Sequence, residues 1–107
     1  MANIGTSAST VNLTATGTTQ SDAYLVRAQM NYFSTVASGT GALLNTEIGG
    51  GEAQTIYNGG ANDLRVYPSA STQINGLGTN NPMLLPPATT CDFRRISSTL
   101  WTGVLSR

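Results

Sequence analysis

The sequence predicts an all-β protein, a small antiparallel sandwich or barrel with an extended N-terminal arm. Its 107 residues are enough for one domain. Short segments rich in β-branched and aromatic residues recur along the chain, and Gly, Pro and Asn separate them. Only ten residues carry a charge and the net charge is zero, whereas disorder usually pairs low hydrophobicity with high net charge. These observations indicate an ordered, polar, β-rich domain.

Residues 1–20 form the predicted arm, and residues 21–107 form a single β-rich domain. The arm has no charged and no aromatic side chain, and its large apolar residues after Met1 are Ile4, Val11 and Leu13. Such a segment cannot bury enough apolar surface to offset its ordering entropy on its own. We therefore expect these three residues to bind a partner. The alternative is a strand that pairs within its own domain.

The first half of the domain shows a strand pattern with glycine-rich breaks. Alternation between Ser21 and Val36 favours a strand over a helix capped by Ser21. Ala42–Leu44 is a short apolar strand between two such breaks. Ala53–Tyr57 and Leu64–Tyr67 flank a loop of residues that tolerate positive φ, which predicts a β-hairpin.

The second half repeats these signals over shorter segments. Ile74–Leu77 contains an Asn-Gly turn, and prolines bound Met83–Leu85. Cys91–Ile96 and Leu100–Leu105 predict a second hairpin, and the sequence shows no repeat at a fixed period. We expect one core between two β-layers, to which five residues contribute: Ile56, Leu64, Val66, Phe93 and Trp101.

The composition argues against an enzyme and against a cofactor or metal site. Without histidine the chain cannot form a Ser-His-Asp or Cys-His arrangement, and without lysine it cannot form a Walker loop or a Schiff base. The five carboxylates each have a structural explanation as turn formers, loop residues or ion-pair partners. We expect Cys91 to be a buried structural thiol rather than a reactive one.

The same composition limits the partners. Zero net charge is atypical of a nucleic-acid-binding protein, whose affinity comes mainly from neutralised phosphates. No apolar stretch approaches the ~20 residues that a membrane span needs, so we expect neither nucleic acid nor membrane as a partner. A surface with so little charge does little to repel copies of itself, which is typical of a subunit in an assembly.

One stretch carries a resemblance to a known family. Asn58–Pro68 followed by Ile74–Leu77 is similar to small virion proteins of tailed bacteriophages. The resemblance extends over about residues 20–102. Further features match that family in order and spacing, namely Gly39–Gly41, Leu85-Pro86, Phe93 and Trp101. Members of that family usually have Leu-Pro-x-Gly where this chain has Leu85-Pro-Pro-Ala88, and they end sooner after the tryptophan.

The resemblance implies a capsid decoration, or cement, protein. Such proteins are small, β-rich and often trimeric, and they bind the major capsid protein outside the shell at junctions between capsomers. The implied location is the capsid surface of a virion, after synthesis in the cytoplasm of the bacterial host. Besides the arm, we expect Tyr67, Arg94 and Arg95 to be surface residues that contact the partner.

A second function remains open at this point. A β-sandwich on a phage tail or fibre could bind a host-surface glycan through Tyr67 and Trp101, although such aromatic residues are more often part of a core.

Overall fold

The computed structural model describes residues 9–45 and 53–106. They form ten strands and one 3₁₀ turn, Gln20–Asp22, and contain no α-helix. The all-β class is therefore confirmed. The strands are β1 (Ser9–Thr14), β2 (Tyr24–Leu25), β3 (Met30–Thr35), β4 (Gly41–Leu43), β5 (Ala53–Asn58), β6 (Leu64–Tyr67), β7 (Gln73–Ile74), β8 (Met83–Leu85), β9 (Thr89–Arg95) and β10 (Leu100–Ser106).

The strands lie in two sheets that are connected as a β-solenoid. The large sheet has the order β1-β3-β5-β9-β10-β7, and the small sheet has the order β2-β4-β6-β8. Successive strands alternate between the sheets up to β9, so each of the first three coils contributes one strand to each sheet. Neighbouring coils pair in parallel. The prediction of an antiparallel sandwich or barrel is therefore wrong, because over its first three coils the chain winds forward through two sheets instead of folding back on itself.

The coils differ in length, which explains why the sequence shows no fixed period. In the large sheet Met30 pairs with Ser9 on one side and with Thr55 on the other. More residues separate Met30 from Thr55 than separate Ser9 from Met30. In the small sheet the step from Tyr24 to its partner Ala42 is likewise shorter than the step from Ala42 to Val66. Loops of different length absorb the difference, so the repeat exists in the backbone without a repeat in the sequence.

The last third of the chain closes one end of the solenoid with antiparallel strands. β8 pairs with β6, and β9 pairs with β5. β9 and β10 form the predicted second hairpin, which is confirmed. β10 and β7 lie beyond β9 in the large sheet, whereas the small sheet ends at β8. The large sheet therefore extends past the small one by two strands.

The predicted hairpin between β5 and β6 is wrong. β5 pairs with β3 and β9 in the large sheet, whereas β6 pairs with β4 and β8 in the small sheet. The loop between them is a corner held by buried Asn58, whose side-chain nitrogen donates to the carbonyls of Asn62 and Leu85, both at 2.8 Å. A β-carbon on Gly60 would lie 2.7 Å from the Val36 backbone nitrogen, so the corner packs directly on the preceding coil.

Part of the predicted arm belongs to the domain. Residues 1–8, and with them Ile4, lie outside the described residues. Ser9–Thr14 is strand β1, which pairs with β3, so the alternative of a strand within the domain applies here. Leu13 packs against the core and Ala15 is buried, whereas Val11 is 59% exposed. The separate-arm interpretation is therefore wrong for residues 9–15, because backbone pairing and apolar contacts tie them to their own chain.

The core lies between the two sheets, as predicted. All five expected residues, Ile56, Leu64, Val66, Phe93 and Trp101, have no exposed surface. Ser21–Val36 contains strands β2 and β3, so the preference for strand over helix is confirmed.

Two more buried side-chain amides also bind the backbone: the Gln54 side chain donates to the carbonyls of Val26 and Ala28, and that of Asn31 donates to the carbonyl of Ala28. These bonds satisfy carbonyl groups at the corners that no sheet partner reaches.

Candidate functional site

Of the three carboxylates in the described residues, those of Asp22 and Asp92 accept hydrogen bonds. Asp22 Oδ1 accepts hydrogen bonds from the backbone nitrogens of Thr18 and Thr19 and from the Thr19 hydroxyl. These bonds lower the pKa of the Asp22 carboxyl below its ordinary value. The Asp92 carboxylate accepts a hydrogen bond of 2.7 Å from the Thr55 hydroxyl. Over residues 9–45 and 53–106 there is no cluster of three metal-ligating side chains and no pocket. Glu47 and Glu52 lie outside this part of the chain.

Cys91 is buried in the core, as expected for a structural thiol. Burial, with a smaller contribution from the charge of Asp92, raises its pKa to about 12. The thiolate is the nucleophilic form, so this cysteine is unsuited to catalysis at neutral pH.

The structure separates the three residues that were predicted as surface contacts. Tyr67 is only 6% exposed, and its hydroxyl donates to the carbonyl of Thr18 at 3.3 Å. Its predicted surface position is wrong, because its ring packs against Gly41 of the neighbouring strand. Arg94 is exposed on the outer face of the large sheet. Arg95 is partly buried, and its guanidinium lies 5.9 Å from the centre of the Trp101 ring.

Trp101 lies in the core, as predicted, and not on the surface that the alternative glycan site would need. It has no exposed surface, and its indole nitrogen donates to the Ser69 hydroxyl at 3.2 Å. The segment around Ser69 therefore covers the part of β10 that the small sheet does not reach. A glycan site built from Tyr67 and Trp101 is not available on this surface, since both rings are buried.

The end of β10 is the first of two exposed surfaces, and it is exposed because its neighbouring strand β7 ends before it does. β7 pairs with Leu100 and Trp101 only, and the Asn75 side chain then bonds both the nitrogen and the carbonyl of Gly103, each at 3.0 Å. Beyond Gly103, no described residue pairs with this edge of β10. We call Val104–Ser106 the β10 end.

The β10 end is apolar on both faces. Val104 is 66% exposed on the outer face, and Leu105 is 44% exposed on the core side, where the small sheet has already ended. By the alternation of the strand, the backbone nitrogen and carbonyl of Leu105 point to the same unpaired edge as those of Gly103. An unpaired edge flanked by apolar side chains favours pairing with another chain.

The opposite edge of the large sheet is less suited to pairing. The register of β1 with β3 is irregular between Thr10 and Thr14, and Asn12 has a φ of 59°. Such irregularities bend an edge strand and hinder the addition of a further strand. The β10 end is therefore the more favourable of the two edges.

The outer face of the large sheet is the second exposed surface, and the sequence analysis predicted Arg94 as a contact on it but did not predict its tyrosine pair. Tyr32 on β3 and Tyr57 on β5 are register partners whose ring centroids lie 5.3 Å apart at an angle of 59°. Thr55 and Asp92 form the next row of the same face. The alternation in Met30–Thr35 and Ala53–Asn58 contained a signal for this face, but the outward side became clear only from the sheet order.

The described residues form no helix long and apolar enough to cross a membrane. Comparisons with protein-family models, with curated proteins and with solved structures found no match to this chain.

Proposed function

We propose that this chain is a structural protein of a tailed-bacteriophage virion, which decorates and stabilises the capsid by non-covalent contacts at capsomer junctions. The resemblance of Asn58–Pro68 and Ile74–Leu77 to small virion proteins supports this proposal. The observation that carries it is the β10 end, a sheet edge with apolar side chains on both faces that no described residue pairs with. An extended segment of the major capsid protein would add a strand there by backbone hydrogen bonds.

The remaining properties of the chain suit this role. Without lysine, the chain cannot supply the amine of a lysine–asparagine cross-link, and the attachment that we propose is non-covalent. Weak contacts repeated by the symmetry of a shell reach high avidity without one strong site. The proposed subunit is a homotrimer on the capsid surface, synthesised in the cytoplasm of the bacterial host, and it is not an enzyme.

A copy count on purified virions tests where the protein lies. Quantitative mass spectrometry should find hundreds of copies per particle if the protein decorates the shell. A handful of copies would contradict decoration and favour a tail or fibre module.

Val104→Lys tests the contact itself. We expect binding to undecorated shells to fall at least about tenfold, because the added charge must be desolvated in the new β-pairing, a loss of about 1.4 kcal/mol or more. The fold should tolerate the change, since Val104 is largely exposed and lies opposite Asp92. Shell binding is measured by co-sedimentation.

Ile96→Lys is the matched control. Ile96 is 50% exposed, but it follows β9 at the turn of the second hairpin, the opposite end of that hairpin from Val104. It should leave shell binding unchanged. Equal losses from the two variants would contradict a specific role of the β10 end.

A further inference from the structure

The two tyrosines on the outer face of the large sheet form a fixed aromatic surface. Tyr32 and Tyr57 are both partly buried, and their rings are in contact across neighbouring strands. The Tyr32 ring also lies directly over Gly59, where a β-carbon would overlap it. A ring held on two sides loses little side-chain entropy when a ligand binds.

The next row of residues on this face, Thr55 and Asp92, supplies polar groups beside the tyrosines. The Thr55 hydroxyl donates to one carboxylate oxygen of Asp92, which orients that carboxylate on the open face. Arg94 lies two residues further along β9 on the same face. Among the described residues of this face, one acidic and one basic side chain balance each other, which matches a ligand without net charge. We call Tyr32, Thr55, Tyr57 and Asp92 the tyrosine platform.

We propose that the tyrosine platform binds neutral oligosaccharides. The C–H groups on one face of a pyranose ring pack against aromatic rings, whose faces are electron-rich. The hydroxyl groups at the rim of the sugar can donate to Asp92 and exchange hydrogen bonds with the tyrosine hydroxyls.

Charge and shape favour a sugar chain over other ligands. A nucleic acid would need a row of basic residues to neutralise its phosphates, and among the described residues this face offers Arg94 alone against Asp92. A compact small molecule would need a concave pocket, and no pocket is found in the described residues. An extended oligosaccharide needs only a flat surface of paired strands.

This inference does not depend on the proposed function. The two tyrosines of the platform lie on β3 and β5, about 10 Å or more from β10 at the spacing of neighbouring strands, whereas Asp92 on β9 lies beside Val104 of β10. A coat-protein strand that pairs with the outer edge of β10 would therefore leave the two tyrosines open. Loss of shell binding and loss of sugar binding are measured separately, so one proposal can fail while the other stands.

Affinity electrophoresis of the purified full-length chain tests the proposal. Alkaline native gels contain dextran, soluble starch or galactomannan as probes, and a chain of pI about 6.0 migrates as an anion in them. We expect at least one of these neutral polysaccharides to retard the wild-type protein. Tyr57→Thr should weaken that association at least about tenfold, the change that a loss of about 1.4 kcal/mol produces.

Three further variants separate sugar binding from a purely structural effect. Tyr57→Phe retains the ring and should bind within about twofold of wild type, while Asp92→Asn should weaken binding severalfold. Leu84→Thr changes a side chain on the exposed face of the small sheet and should have no effect. Circular dichroism confirms that each variant is folded.

Two results would overturn the proposal. One is the absence of retardation by all three polysaccharides. The other is retardation that Tyr57→Thr leaves unchanged. If Tyr57→Thr instead abolishes binding to undecorated shells while no polysaccharide is bound, the platform is a protein contact and not a sugar site.

Discussion

At the scale of the residue, buried amide and indole groups hold the corners of this solenoid. Asn58 illustrates the principle: it donates to two carbonyls, and its Oδ1 accepts from the Gly60 nitrogen at 2.9 Å. No buried side-chain polar atom in the described residues lacks a hydrogen-bond partner. Polar residues that local patterns assign to loops therefore contribute to the interior, because a corner leaves backbone groups that side chains must satisfy.

Cys91 makes a prediction at the same scale. At neutral pH the folded protein should not react with a disulfide reagent such as dithionitrobenzoate, whereas the urea-unfolded protein should react at once. Burial raises the pKa of this thiol from 9.0 to about 12. The corresponding stability is fully present below pH 9.0 and is lost as the pH rises towards 12, because the unfolded chain releases the proton first.

The control for the alkaline effect is Cys91→Ala. The test is the difference between the urea midpoints of the two proteins across this range, because effects of pH that the two proteins share cancel in that difference. The advantage of wild type over the variant should shrink as the pH rises. A constant difference, or rapid labelling of the folded thiol, would contradict the assigned environment.

At the scale of the element, the sequence identified most strands but not all of their partners. Gly41–Leu43, Met83–Leu85 and the β9–β10 hairpin lie within one or two residues of their predicted positions. The error arose at Asn58–Asp63, since glycine and asparagine favour a hairpin turn and a solenoid corner alike. Whether Asn58–Asp63 forms a hairpin turn or a corner depends on the pairing of β5 with β3 and β9, which are distant in sequence.

The candidate sites were harder to predict, because exposure depends on which segments cover which strand. Trp101 is buried beneath the segment of Ser69, and Tyr67 packs between coils. Tyr32 and Tyr57 have an equally apolar ring but face outward. Their alternation was visible in the sequence, but the sequence did not show which face of each strand was covered.

Two deletions test the status of the N-terminal segment. Removal of residues 2–18 should lower the melting temperature by about 8 °C or more, equivalent to about 2 kcal/mol, because it removes β1 and the contacts of Leu13 and Ala15. It also removes the paired backbone bonds between Thr16 and Gly41.

The shorter deletion, of residues 2–8, is the matched control and retains β1. It should leave melting nearly unchanged, and it should weaken binding to the shell or between subunits if Ile4 contacts a partner as predicted. Differential scanning fluorimetry and co-sedimentation measure the two properties in parallel. Unchanged melting after the longer deletion would contradict the place of β1 in the domain.

At the scale of the whole molecule, the main feature is a surface that opposes association only weakly. Ten charges of balanced sign produce little repulsion between copies, and six large apolar side chains are exposed among the described residues. Three of these residues, Leu84, Val104 and Leu105, lie on β8 and β10, the strands added where the chain closes the solenoid. Apolar exposure near one end of a stack of coils favours contacts at that end.

This surface predicts self-association, and the resemblance to decoration proteins implies that the assembly is a homotrimer. Sedimentation equilibrium should give three times the 11.1 kDa of one chain. Because few charges are available for intersubunit ion pairs, raising the salt concentration should leave the trimer intact, whereas an assembly held by exposed ion pairs would dissociate. A monomer at tens of micromolar would contradict self-association in solution, and a trimer that dissociates in high salt would contradict its apolar origin.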